Sequence, residues 1–210
     1  MSRLDIPYIQ STHSDELFVF SIEGSNGAGK TTLLNRYKDL HDDTECLLCV
    51  PEIYQTSKEM KHFMLFESSS LCSALYYLAG AVEMRNKYNN SFKKVLFDRS
   101  VWSTFAAAYS KNELILPELF ECLYAIKHYI LFPDLIVVLE VSYETAKIRS
   151  RKKVLGGEYD KDEKYQFQKK KDFFRYLSKS GYNVLFIDTD NLSPHDVYIQ
   201  FTEIVANYHK

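Results

Sequence analysis

The segment Gly24-Ser25-Asn26-Gly27-Ala28-Gly29-Lys30-Thr31 constrains this chain more than any other stretch of it. It fits the pattern G-x-x-x-x-G-K-[ST]. It also stands between an apolar run at 17–22, which reads as a buried strand, and a stretch from Lys30 onward with helical spacing, where Leu33, Leu34 and Tyr37 share one side. Glycines let the main chain curl until successive N–H groups point inward at an anion. The helix that starts near Lys30 adds the positive end of its dipole. In such a loop the Lys30 ammonium reaches the β- and γ-phosphates of a nucleoside triphosphate, and the Thr31 hydroxyl, followed by Thr32, ligates Mg²⁺. A glycine turn without a ligand has no need of the Lys-Thr ending.

The rest of the chain repeats the same alternation. Further strands are predicted at 46–50, 95–97, 135–139 and 184–187. Between them, residues 60–85 read as one or two helices including 71–88, and 102–109, 117–131, 143–153, 164–180 and 194–208 read as helices, with Pro133 breaking the pattern. Strands alternating with helices predict an α/β fold with a mostly parallel five-stranded sheet covered on both faces. No repeat divides the 210 residues, so a single domain over 1–210 is expected, with an exposed, charged segment near 149–163 that carries Gly156 and Gly157.

Composition narrows the function classes. Lys plus Arg number 26 against 28 Asp plus Glu, so the chain lacks the basic excess of a protein that coats nucleic acid. No stretch approaches the roughly 20 apolar residues needed to cross a bilayer, and residues 1–16 read as neither signal nor transit peptide. Cys46, Cys49, Cys72 and Cys122 show no zinc spacing beyond one C-x-x-C, so buried free thiols in a reducing, cytoplasmic compartment are expected. A GTP-dependent switch is disfavoured. Lys169-Lys170-Lys171-Asp172 lacks the first residue of a base-reading motif and falls in a helix, and no D-x-x-G follows a strand. Glu140, at the end of the 135–139 strand, imitates the acid of larger ATPases, but the chain is short for those machines.

Several segments together resemble the thymidylate kinases and their deoxynucleoside kinase relatives. Residues 22–32 look like the opening of those enzymes, and Asp98-Arg99-Ser100-Val101-Trp102-Ser103 looks like their D-R or E-R segment. Pro133-Asp134-Leu135 resembles their P-D-L strand, Glu144 to Arg149 the helix entering their lid, and Phe186-Ile187-Asp188 their last strand. The order and spacing cover roughly residues 17–200. The resemblance implies a three-layer sandwich of the P-loop NTPase type with a small lid, ATP and Mg²⁺ as cofactors, and a small-molecule nucleotide or nucleoside as acceptor. It implies that Asp98 helps hold Mg²⁺ or the acceptor, that Arg99 clamps a phosphate, and that Glu52 either places the acceptor sugar or takes a proton from a 5′-hydroxyl. Arg149 and Arg151, beside Lys152 and Lys153, would close over the phosphates. Many thymidylate kinases carry a charged residue where this chain has Asn26, so catalytic positive charge is expected from the lid. Relatives commonly pair as homodimers through helices, which makes the aromatic Tyr76 and Trp102 regions the candidate faces.

The acceptor side departs from the pattern. Tyr77 and Arg85 are the candidates to stack on and read a base, though the family spacing between such residues is not kept. After Ser103 the chain reads Ala106-Ala107-Ala108-Tyr109, with the tyrosine displaced and the expected glutamine absent. The leading expectation is a nucleoside monophosphate kinase acting on an acceptor such as dTMP. A nucleoside kinase and a nucleotide-binding regulatory protein without turnover stand as alternatives.

Overall fold

Five short apolar runs form strands, and a parallel sheet between helix layers is the arrangement that buries the central ones on both faces. In the computed structural model, which describes residues 6–52, 57–88, 90–151 and 164–208, these are β1 Phe18–Gly24, β2 Thr44–Leu48, β3 Lys94–Asp98, β4 Leu135–Glu140 and β5 Val184–Asp188. They lie in the order β2-β3-β1-β4-β5, and every pairing is parallel. The helices are α1 Lys30–Leu40, α2 Lys58–His62, α3 Ser70–Lys87, α4 Val101–Lys111, α5 Leu116–Ile126, α6 Tyr143–Arg151, α7 Lys164–Lys179 and α8 Pro194–Tyr208.

Strand alternation sorts the core into two layers. Phe18, Phe20 and Ile22 of β1, with Leu135, Val137 and Leu139 of β4, pack against Leu33 and Tyr37 of α1 and Phe201 of α8. Ile136 and Val138 pack on the other side, among Trp102 and Phe105 of α4, Leu119 and Leu123 of α5, and Phe173 and Leu177 of α7. Full burial of a side chain such as Phe20 contributes roughly 1.5–3 kcal/mol. The α/β class, the five strands and the covered faces are as the sequence predicts.

Local boundaries differ where tertiary pairing decides them. The second strand runs 44–48 rather than 46–50, because its register against β3 ends at Leu48 opposite Asp98. The apolar stretch after it is broken into α2, a wide turn of π-helix at Phe63–Glu67 and then α3, whose start is capped by the Ser69 hydroxyl accepting from Cys72 N at 3.2 Å. Helix α5 ends at Ile126 and passes into a 3₁₀ turn, Lys127–Tyr129, instead of running to 131.

The polar-looking segment before β1 is anchored. Ile6 and Ile9 are buried, and the Tyr182 hydroxyl accepts from Ile9 N at 2.7 Å and donates to the Pro7 carbonyl at 2.9 Å. His13 adds a charged tie. Its Nδ1 faces the Ser14 carbonyl at 3.2 Å, and its Nε2 faces the Phe132 carbonyl and the Asp134 carboxylate, each at 3.2 Å. A ring whose two nitrogens both face acceptors donates to both of them only when it is protonated. Burial pulls its pKa down, but the hydrogen bond and charge of Asp134, with the two carbonyls, outweigh that and raise it. A raised folded pKa gives stability that is complete below the unfolded value of about 6.5 and is lost as pH rises through the folded value. Thermal melts of the parent and His13→Gln are therefore expected to differ most near pH 5.5, by about 1–3 kcal/mol. The gap should narrow steadily toward pH 9. A gap independent of pH would show that the charge plays no part.

Candidate active site

The phosphate loop leaves β1 in the middle of the sheet and enters α1 at Lys30. Two of its glycines are demanded by close approach. Gly24, at φ 129°, faces Leu139 of β4, whose carbonyl oxygen lies 2.4 Å from where a Cβ would stand. Gly27, at φ 83°, abuts α6, with the Ala146 carbonyl 2.5 Å from the same point. The Lys30 side chain is folded into the curl, and its Nζ donates to the Gly24 carbonyl at 3.0 Å and the Ser25 carbonyl at 2.9 Å. Thr31 and Thr32 stand exposed at the start of α1.

Beside the loop, β3 ends at Asp98, and Arg99 makes the turn into α4. Arg99 has φ 68°, and among the described residues it is the one non-glycine residue with positive φ. Its Nη1 donates to the Gly24 carbonyl at 3.2 Å and to Ser103 Oγ at 3.3 Å, and its Nη2 donates to Asn26 Oδ1 at 3.1 Å. A guanidinium therefore lies across the mouth of the phosphate loop. Asn26 brings no charge of its own, but it receives the Arg99 guanidinium; residues 152–163, most of the lid from which positive charge is expected, lie outside the described residues.

The loop and Arg99 open into a cleft of about 340 Å³ lined by Gly24, Asn26, Cys49, Tyr77, Arg99 and Ser103, among others. A second hollow of about 430 Å³ adjoins it and shares Asn26, Tyr77, Thr104, Ala107 and Lys170, with Phe66 and Lys111 further out. Tyr77 thus lines both hollows. The small side chains Ala107 and Ala108 leave that space open on the α4 side.

Other sequence candidates lie elsewhere. Arg85 is two turns and about 12 Å beyond Tyr77 on α3. It donates to the Ile130 carbonyl at 3.4 Å and lines a separate hollow with His13 and Lys93 at the opposite end of the sheet. It therefore stands apart from the cleft that Tyr77 lines. Arg149 lies on α6, with Nη2 donating to the Thr189 carbonyl at 2.8 Å and Nη1 to Thr189 Oγ1 at 3.3 Å, which places it against the end of β5. Arg151 ends α6, and residues 152–163, most of the predicted lid, lie outside the described residues. Glu52 is exposed in the turn after β2, just past Cys49 and Val50, which line the cleft. Ser103 lines the cleft too, but its hydroxyl is engaged by Arg99 and by Glu23.

Two further readings are corrected, and Glu140 is placed. Trp102 is fully buried within the chain, so it offers no surface to a second copy. Glu140 is paired with Arg175 at 3.1 Å and lines the same cleft as Gly24, Ser25 and Asn26 of the loop. All four cysteines are free, but Cys72 is exposed and the others only half-buried. Burial pushes the Cys46 thiol up to about 11 and the Cys49 thiol up to about 12, so neither supplies a thiolate at neutral pH. Among the described residues no cluster of His, Cys, Asp and Glu could hold a metal on its own, and no helix is long and apolar enough to cross a membrane.

Sequence reasoning missed Glu23. It is completely buried, and its Oε1 accepts from Ser100 N and Ser100 Oγ, both at 2.6 Å, while Oε2 accepts from Ser103 Oγ. An acid on the face of β1 shared with Val19 and Ser21, where an apolar residue belongs, was the available signal.

A central parallel sheet, a lysine-bearing anion loop at its carboxyl end and an arginine turned toward a neighbouring acceptor hollow define a P-loop nucleotide kinase. The family model for thymidylate kinase matches residues 22–197. The chain belongs to the thymidylate kinase family. No curated protein matches it by sequence. Its fold is similar to that of thymidylate kinase from Candida albicans, with TM-score 0.68 and 18% identity over 92% of this chain and 94% of that one. Deoxyadenosine kinase from M. mycoides with bound dATP gives TM-score 0.67 and 16% identity over 90% of this chain and 100% of that one. Thymidylate kinase from Ehrlichia chaffeensis gives 0.63 and 17% over 90% and 98%.

Proposed function

We propose that the chain transfers the γ-phosphate of ATP to the phosphate of a (deoxy)nucleoside monophosphate such as dTMP. The observation that carries this is the Arg99 guanidinium, fixed across the loop mouth and lining the cleft that Tyr77 also lines. A planar fork at that place suits two phosphates, one arriving on each side. The curled loop, with the Lys30 ammonium already inside it, fits a triphosphate. Thr31 and Asp98 are the residues that would hold Mg²⁺, which supplies charge neutralisation at the phosphates when bound. Lys30 takes the donor phosphates, Arg99 spans to the acceptor phosphate, and Tyr77 offers a ring face to the acceptor's base.

The test is ADP release measured across a panel of nucleosides and nucleoside monophosphates. Stimulation by a monophosphate and not by the matching nucleoside is the expected result. Stimulation by nucleosides alone would replace this reading with a nucleoside kinase, and no stimulation by any acceptor, with ATP still bound, would replace it with a regulatory nucleotide binder. Arg99→Ala sharpens the test. Losing a charge-assisted contact of about 1.5–3 kcal/mol should raise the KM for the monophosphate by about 10–100-fold and the KM for ATP much less. Equal losses on both would count against the clamp.

A further inference from the structure

The last three residues of β1 grip the turn that carries Arg99. The Ile22 carbonyl accepts from Arg99 N at 3.0 Å, and the Gly24 carbonyl accepts from Arg99 Nη1 at 3.2 Å. Between them, the Glu23 carboxylate accepts from the next residue twice, at Ser100 N and Ser100 Oγ, and from Ser103 one helical turn on. Ser100 Oγ also caps α4 by accepting from Trp102 N at 3.3 Å. The Ser103 hydroxyl is a bridge, accepting from Arg99 Nη1 at 3.3 Å while donating to Glu23.

This network explains an otherwise unfavourable backbone. A side-chain-bearing residue at φ 68° is uncommon and persists only where its surroundings over-determine it. Here the residue before Arg99 is fixed by pairing to β1 and β2, and the residue after it is fixed by Glu23. With both flanks held, Arg99 is forced into the left-handed region, and its side chain leaves the turn toward the phosphate loop.

We propose that Glu23 is a positioning residue: through Ser100 and Ser103 its buried carboxylate sets the turn and aims the Arg99 guanidinium across the loop mouth. The inference rests on the reading of Arg99 as the clamp between donor and acceptor phosphates. Burial raises the Glu23 pKa, against the serine hydrogen bonds and the charge of Arg99, as expected for a carboxyl placed where the core would otherwise hold an apolar side chain.

Three variants test it. Glu23→Gln keeps the volume but brings an amide donor where donors already converge. Ser103→Ala cuts the bridge, and Ser103→Thr keeps a hydroxyl. With dTMP and ATP, Glu23→Gln and Ser103→Ala should each lower kcat/KM for the acceptor by about tenfold, as a misaimed catalytic contact does. Calorimetric affinity for magnesium–ATP should stay within about twofold, and Ser103→Thr should recover most of the loss, because the contact to the donor nucleotide runs through Lys30 instead. A folded Glu23→Gln or Ser103→Ala with acceptor kinetics like the parent's would overturn the proposal, as would an equal loss of ATP affinity. A second readout does not depend on turnover. The Arg99 Nε–Hε signal, assigned by its absence in Arg99→Lys, should move to the position of a solvent-exposed arginine in Ser103→Ala and in Glu23→Gln. An unmoved signal refutes positioning even if the parent uses no acceptor, a result that would refute the proposed activity instead.

Discussion

Lys30→Ala is expected to slow phosphoryl transfer by about 10²–10³-fold, the scale for removing one preorganised donor from a developing charge, while the chain remains folded. Lys30 is 8% exposed, and its ammonium sits inside the curl of the loop, bonded to two loop carbonyls. It packs against main chain at the lip of the site rather than filling the apolar core, so its removal leaves the layers around β1 untouched. Of the two carbonyls it satisfies, that of Gly24 keeps Arg99 Nη1 as a donor. Melting temperature should therefore change by only a few degrees while ATP turnover collapses. Single-turnover measurements at saturating ATP separate weakened binding from slowed chemistry. A variant that keeps near-parent turnover would remove Lys30, and with it this loop, from the reaction.

Gly24→Ala should damage both site and fold. Its Cβ would stand 2.4 Å from the Leu139 carbonyl, on backbone that cannot swing aside, and φ 129° is a conformation that residues with a side chain rarely adopt. Overpacking costs about 1–3 kcal/mol and the backbone strain a similar amount, so a total of about 2–4 kcal/mol is expected. For a chain of this size that corresponds to about 4–16 °C in Tm. Relief must come from parting β1 and β4 where the loop begins, which also moves the Gly24 carbonyl that Lys30 and Arg99 share. Loss of ATP binding together with lowered Tm is the expected signature. A variant with parent stability and parent affinity would mean that the two strands separate freely there.

What could be read from the chain before the structure follows from the range of the forces involved. Strand runs such as 135–139 and the loop after Ile22 are local patterns, and local patterns survive folding. Arg85 was misplaced because helical spacing assigns a face but not a distance, and two turns carry it to the other end of the sheet. Aromatic content does not say whether a ring packs on its own chain or on another, and Trp102, a candidate for an interface by sequence, meets Tyr182 and Phe132. Glu23 escaped notice because an acid after an apolar run looks like a strand end, and the serines that justify its burial come some eighty positions later. The 152–163 segment lies outside the described residues, so the contacts expected of Lys152 and Lys153 rest on the sequence alone.

The Tyr182 hydroxyl clasp on Pro7 and Ile9 has a consequence for how the molecule is made. Ile9 and Tyr182 stand 173 positions apart, so the earlier stretch has no hydroxyl to bind until the later one has been made. Closing so long a loop is entropically costly until the intervening sheet has brought its ends together. The clasp is thus a late-forming contact, and pulse-labelled amide exchange should find the Ile9 amide protected after those of β1 and β4.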